Sequence, residues 1–68
     1  MTPKRLKTCR LKLKLTQKAF GDNLHTSERM IRNYEIGAFP IPVVVELATY
    51  WLLVPEKLKK ILLLKFLK

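Results

Sequence analysis

Sixty-eight residues suffice for one small domain, and residues 1–68 are expected to form a single unit. Lys and Arg outnumber Asp and Glu by 14 to 5, a formal charge of +9, which directs the chain towards polyanions, either nucleic acid or an acidic membrane surface. A single cysteine, Cys9, and a single histidine, His25, exclude an internal disulfide and a zinc site built on cysteine pairs, so neither metal nor cofactor is expected.

The chain reads as five helices. Pro3 suits a first helical turn, where its missing N–H costs nothing. Lys4 to Leu13 then puts Leu6, Cys9 and Leu13 on one side at helical spacing, with Lys and Arg elsewhere. Thr16 is the N-cap expected of a second helix, in which Phe20 and Leu24 face inward. His25 falls where the chain must turn, and Ser27 caps a third helix whose buried stripe is Ile31 and Tyr34. Gly37 closes that helix as its C′ residue. Residues 16–36 therefore have the spacing of a helix-turn-helix. Ala38 to Pro42 makes a stiff loop, Pro42 starts a nearly all-apolar fourth helix through Val54, and Pro55 opens a fifth running to Phe66. The fold class expected is all-α, a compact five-helix domain.

At 100° per residue, Arg29, Arg32, Asn33 and Ile36 lie opposite Ile31 and Tyr34, with Glu28 at their margin. A DNA major groove admits one helix, read by side chains from its N-terminal turns. Arg matches guanine O6 and N7 in a bidentate way, and Asn matches adenine similarly. Glu28 either accepts from a cytosine amino group or opposes the helix dipole, the latter worth about 0.3–1 kcal/mol. Base-reading candidates are thus Glu28, Arg29, Arg32 and Asn33. Gln17 begins the second helix, whose N-terminus favours a phosphate. Lys14, Lys18 and Ser27 are further phosphate candidates, setting affinity and orientation without carrying sequence information.

Residues Leu15-Thr16-Gln17, Phe20, Leu24, Ser27, Ile31, Tyr34-Glu35 and Gly37 resemble, without a gap, the DNA-binding domain of the lambda-repressor and Cro-like helix-turn-helix family. The resemblance implies that Gln17 touches a phosphate, that Glu28, Arg29 and Arg32 or Asn33 read bases, and that Arg10 reaches Glu35. It further implies a five-helix lambda-repressor-like fold. This chain departs from the pattern in three places. Gly21 stands where the family usually has Ala, both of which permit close helix approach. His25 stands in the turn where Gly is usual, a position that strains His only modestly if φ is positive. The loop from Gly37 to Pro42 is shorter than in many members.

Catalysis has little support, because His25, Cys9 and five scattered carboxylates form no acid–base pair or triad. The first fifteen residues lack a secretory h-region, and the longest apolar runs fall far short of the ~20 residues of a membrane span. A cytoplasmic protein is expected. With 49% hydrophobic residues, more apolar surface is present than a small core hides. The expected core takes Leu6, Leu13, Phe20, Leu24, Ile31, Leu47, Ala48 and Trp51, joined by Leu58, Ile61, Leu62 and Phe66 of the fifth helix. Leu63, Leu64 and Leu67 lie round the helix from these and are candidates for a weak homodimer interface through residues 42–67. The expected function is sequence-specific binding of double-stranded DNA at a palindromic operator, as a small repressor. Two rivals are an antitoxin or restriction-system controller, and a basic amphipathic binder of membrane surfaces built on residues 56–68.

Overall fold

Three hydroxyl side chains set where the first three helices begin in the computed structural model, which describes residues 1–66. Thr2 accepts the Arg5 N–H at 3.1 Å ahead of α1 (Pro3–Lys12). Thr16 accepts the Ala19 N–H at 3.1 Å ahead of α2 (Gln17–Asn23). Ser27 accepts the Met30 N–H at 3.1 Å ahead of α3 (Glu28–Glu35). In each case the cap residue is extended while its oxygen satisfies an N–H that the helix cannot. Two further helices follow, α4 (Val43–Leu53) and α5 (Glu56–Phe66), and no strand occurs among the described residues. Pro42 is the residue just ahead of α4, in extended conformation, and not its first turn.

The first three helices also end alike. Lys14 N–H donates to Leu11 C=O (3.0 Å) and Leu15 N–H to Arg10 C=O (3.3 Å) after α1. His25 N–H donates to Asp22 C=O (3.3 Å) and Thr26 N–H to Gly21 C=O (2.8 Å) after α2. Gly37 N–H donates to Tyr34 C=O (3.2 Å) and Ala38 N–H to Asn33 C=O (2.9 Å) after α3. Each pair is a Schellman motif, which requires a left-handed C′ residue. Lys14 (φ 58°), His25 (φ 54°) and Gly37 (φ 79°) occupy those positions. Only the last is the glycine that the conformation favours.

Leu6, Phe20 and Ile31 are wholly buried and form the core with Tyr34 and Val45. Leu13, Leu15, Leu24, Met30, Ile41 and Leu52 pack round them, half-buried. α3 packs on α1 and α2, and α4 packs on α1. The α2–α3 approach depends on Gly21, because a Cβ there would drive into the Thr26 carbonyl oxygen and sit 3.3 Å from Ser27 C. Alanine therefore does not share this position with glycine here, contrary to the expectation from the family pattern.

The register of α4 also differs from expectation. Val45, Thr49 and Leu52 face the core, at the i, i+4, i+7 spacing of one helical stripe. Leu47 is 62% exposed and Trp51 42%. An almost uniformly apolar helix has no polar face to declare its orientation. The one polar residue in the inward stripe, Thr49, is wholly buried because its hydroxyl donates to Val45 C=O at 2.7 Å.

No residue of α5 is buried. Leu58, Ile61, Leu62 and Phe66, expected in the core, are all exposed. The core is closed by α1 to α4, and Pro55 holds Val54 extended (φ −70°, ψ 130°), directing the chain outward. The Cα radius of gyration is 13.0 Å, against about 11 Å for a globule of this length. The long dimension, 42 Å against 22 and 19 Å, agrees with a protruding last helix.

Candidate functional site

α3 buries one side and offers the other. Ile31 and Tyr34 hold it to the core, and those contacts turn Glu28, Arg29, Arg32 and Ile36 outward, all four exposed. Glu28 and Arg32, one turn apart, approach to 3.6 Å with roughly half of each side chain in solvent. Such a pair stabilises a helix by about 0.3–0.5 kcal/mol. Asn33, expected on the same outward face, is half-buried. Its carbonyl receives the Ala38 N–H as the chain reverses beyond Gly37, which brings the departing backbone against that side of the helix.

At the C-terminal end of α3, centred on Glu35, a part-buried polar cluster joins three helices. Arg10 Nε donates to Glu35 Oε2 at 2.7 Å and Nη2 to Oε1 at 3.1 Å, while Nη1 donates to Leu15 C=O at 2.9 Å. The Arg10 side chain is 10% exposed and that of Glu35 3%. Gln17 Nε2 donates to the same Glu35 Oε1 at 3.4 Å. This last contact has no counterpart in the sequence reading, which gave Gln17 to a phosphate and Glu35 to Arg10 alone. Two residues eighteen apart carry no local signal of meeting. The Gln17 amide keeps its second N–H, because one amide nitrogen carries two donors.

Lys14 and Lys18 are exposed on either side of Gln17, Lys14 in the turn after α1 and Lys18 in the first turn of α2. Ser27 is exposed as well. Its oxygen serves as the helix cap, and the hydroxyl proton is not used by that bond. Arg5 belongs to a different contact. Its Nε donates to the Tyr50 hydroxyl at 3.1 Å and its guanidinium lies 5.8 Å from the ring centre, tying α1 to α4. The Tyr50 hydroxyl is the main cause that raises the Arg5 pKa above its ordinary value.

Of the association candidates, Leu63 and Leu64 are exposed on α5, and Leu67 lies outside the described residues. Among the described residues no three His, Cys, Asp or Glu side chains gather as a metal site, and no helix is long and apolar enough to cross a membrane. Cys9 is buried on the inner side of α1 and takes part in no disulfide. No protein-family model, no curated protein and no solved structure matches this chain.

Proposed function

We propose that α2, the turn at residues 24–27 and α3 form a helix-turn-helix, with α3 entering the major groove of double-stranded DNA. In this reading the chain is a small, non-enzymatic transcriptional regulator, a phage-type repressor or Cro-like protein that acts by occupying an operator. The observation that carries the reading is the outward face of α3. Glu28, Arg29 and Arg32 project from the first two turns of a helix whose other side is fixed in the core, in a chain of charge +9.

Arg29 and Arg32 read bases in this scheme, each bidentate contact contributing about 1–3 kcal/mol of discrimination. Opening the Glu28–Arg32 pair costs only about 0.3–0.5 kcal/mol, so it does not oppose such use. Asn33, being half-buried, is a marginal reader beside them. Lys14, Lys18, Ser27 and the second Gln17 N–H serve phosphates. The Glu35 carboxylate holds the Gln17 amide while doing so. The resemblance of residues 15–37 to the lambda-repressor and Cro-like pattern supports the same assignment.

Selection of bound sites from random duplex DNA, followed by affinity measurement across salt concentrations, tests the proposal. A defined consensus is expected, with a log–log salt slope of about −4 to −5 if four to six phosphates are neutralised. Equal affinity for duplex DNA and heparin, with no consensus, would overturn it.

A further inference from the structure

α1 is the one helix of the five that contains no carboxylate, and none occurs in the chain before Asp22. Of the cations in that stretch, Arg10 is committed to Glu35, and Lys14 and Lys18 belong to the phosphate contacts proposed beside α2. Lys4, Arg5, Lys7 and Lys12 are left over, all exposed. Among the described residues none of these four pairs with a carboxylate. Glu46 of α4, which packs on α1, is held at 3.1 Å by the Met1 amino group instead.

Thr2, Lys4, Arg5 and Thr8 line an open hollow along α1. The Arg5 guanidinium is fixed there, because Nε donates to the Tyr50 hydroxyl at 3.1 Å and the group lies 5.8 Å from the ring centre. Its two Nη groups have no partner among the described residues. The Thr2 hydroxyl accepts the Arg5 N–H and keeps its own proton to donate. The Thr8 proton is already given to Lys4 C=O at 2.9 Å. Lys7 stands one turn beyond Lys4 on the same side of the helix. A pre-set guanidinium, two ammonium groups and a free hydroxyl, with no carboxylate among them, suit a phosphate. We infer that this surface of α1 binds the phosphate backbone of a second DNA duplex, so that one chain bridges two segments. The inference rests on the proposed DNA reading for the first duplex, and not for the α1 surface itself.

Position makes this a second site. Leu6 and Ile31 meet in one core, so the outer sides of α1 and α3 leave it in different directions. Lys4 also stands ten residues ahead of Lys14, about 15 Å along a helix, which separates the hollow from the phosphate contacts beside α2. That distance exceeds the Debye length of about 8 Å at physiological salt, so the two sets of cations act separately. Composition favours nucleic acid over lipid. Helices that lie on anionic membranes bury an apolar face, and Leu11 is the one large apolar side chain that α1 exposes.

Two measurements on the full chain test the inference. The first uses Arg29→Ala with Arg32→Ala, which removes the proposed reading face. Residual affinity for duplex DNA should persist. Adding Lys4→Glu and Lys7→Glu should lower it about tenfold or more and flatten the log–log salt slope by about two units. Circular dichroism should not change, because both lysines are exposed. Lys57→Glu with Lys60→Glu, the same charge change on α5, should have a several-fold smaller effect. In the second measurement, an immobilised duplex carrying the selected consensus is saturated with protein and offered a labelled duplex that lacks it. The parent should retain the labelled duplex. Lys4→Glu with Lys7→Glu should release it while affinity for the first duplex stays within about twofold. Equal losses from the α1 and α5 pairs would reduce the effect to net charge and overturn the site. Retention that survives the α1 pair overturns it as well, since a dimer with two reading faces would behave so. A matching loss of affinity for the first duplex would put both lysines on that duplex and overturn the bridging. Absence of any consensus ends the α3 reading, and the first measurement still decides the α1 surface. Binding to phosphatidylglycerol vesicles that the α1 pair abolishes, with residual duplex affinity unchanged, overturns DNA as the occupant.

Discussion

Arg10 and Glu35 meet through two hydrogen bonds, at 2.7 and 3.1 Å, although twenty-five positions separate them in the chain. The geometry is the bidentate one that makes an Arg–carboxylate pair strong. The pair also locks the end of α1 to the end of α3, and through Leu15 C=O and Gln17 to the start of α2. Both side chains are out of water, so the desolvation cost offsets much of their attraction.

The consequence is an asymmetry between single and double replacement. Arg10→Met strands a buried carboxylate and should cost about 3–5 kcal/mol in urea unfolding. Glu35→Leu should cost a similar amount by stranding the guanidinium. The double variant should regain most of the loss, short by about 1 kcal/mol for the partner that Leu15 C=O no longer has. Additive single losses in the double variant would show that the pair is not coupled.

Gly21 should not tolerate alanine. The added Cβ meets backbone, the Thr26 carbonyl, which cannot rotate aside as a side chain can. Overpacking of this sort costs about 1–3 kcal/mol, more than the roughly 0.5–1 kcal/mol that alanine gains over glycine inside a helix. Urea midpoints of the parent and Gly21→Ala decide the sign. A more stable alanine variant would mean that α2 and α3 separate cheaply.

The starts of α2 and α3 and the end of α3 were legible because short-range chemistry writes them, whereas the Thr2 cap of α1 and the left-handed Lys14 that ends it were missed. Thr16, Ser27 and Gly37 each act within five residues, and each has its expected place in the structure. The inward positions Leu6, Phe20, Ile31 and Tyr34 were legible for a related reason, since polar neighbours give those helices a readable period. α4 offers no such contrast, so Leu47 and Trp51 were assigned to the wrong side and Val45 and Thr49 were overlooked. The fate of α5 depends on whether room remains beside α4 after the turn at Pro55. That is a property of the assembled core and of no local segment. On the outward face of α3, Arg29 and Arg32 follow from helical period alone. The half-burial of Asn33 comes from the chain reversal after Gly37, which period does not describe.

Lys14 and His25 should each accept glycine with a gain in stability. A left-handed residue with a side chain costs about 1–2 kcal/mol, and part of that is returned through the greater freedom of glycine in the unfolded chain. Gains of about 0.5–1 kcal/mol are expected for Lys14→Gly and His25→Gly. At position 14 the two readouts should diverge. Unfolding should move to higher urea while DNA affinity falls, because the same substitution removes a cation proposed to serve a phosphate. Parallel changes in both would leave Lys14 a turn residue only.

Replacing Arg29, Arg32 and Lys18 tests the proposed division between base reading and phosphate binding. All three are exposed, so their replacement by alanine should leave unfolding within about 0.5 kcal/mol of the parent. Their effects on DNA should differ in kind. Arg29→Ala and Arg32→Ala should each relax the preference at particular base pairs, at about 1–3 kcal/mol for a bidentate contact. Arg32→Ala also releases Glu28 from its 3.6 Å contact. A change at the position read by Glu28 should therefore accompany it and be absent from Arg29→Ala. Lys18→Ala should weaken every site by a similar factor and make the salt slope shallower by about one unit. The three profiles come from repeating the site selection with each variant and titrating the parent consensus at several salt concentrations. If both arginine variants return the parent consensus, α3 does not lie in the groove with this face, and the reading surface must be sought elsewhere on the chain.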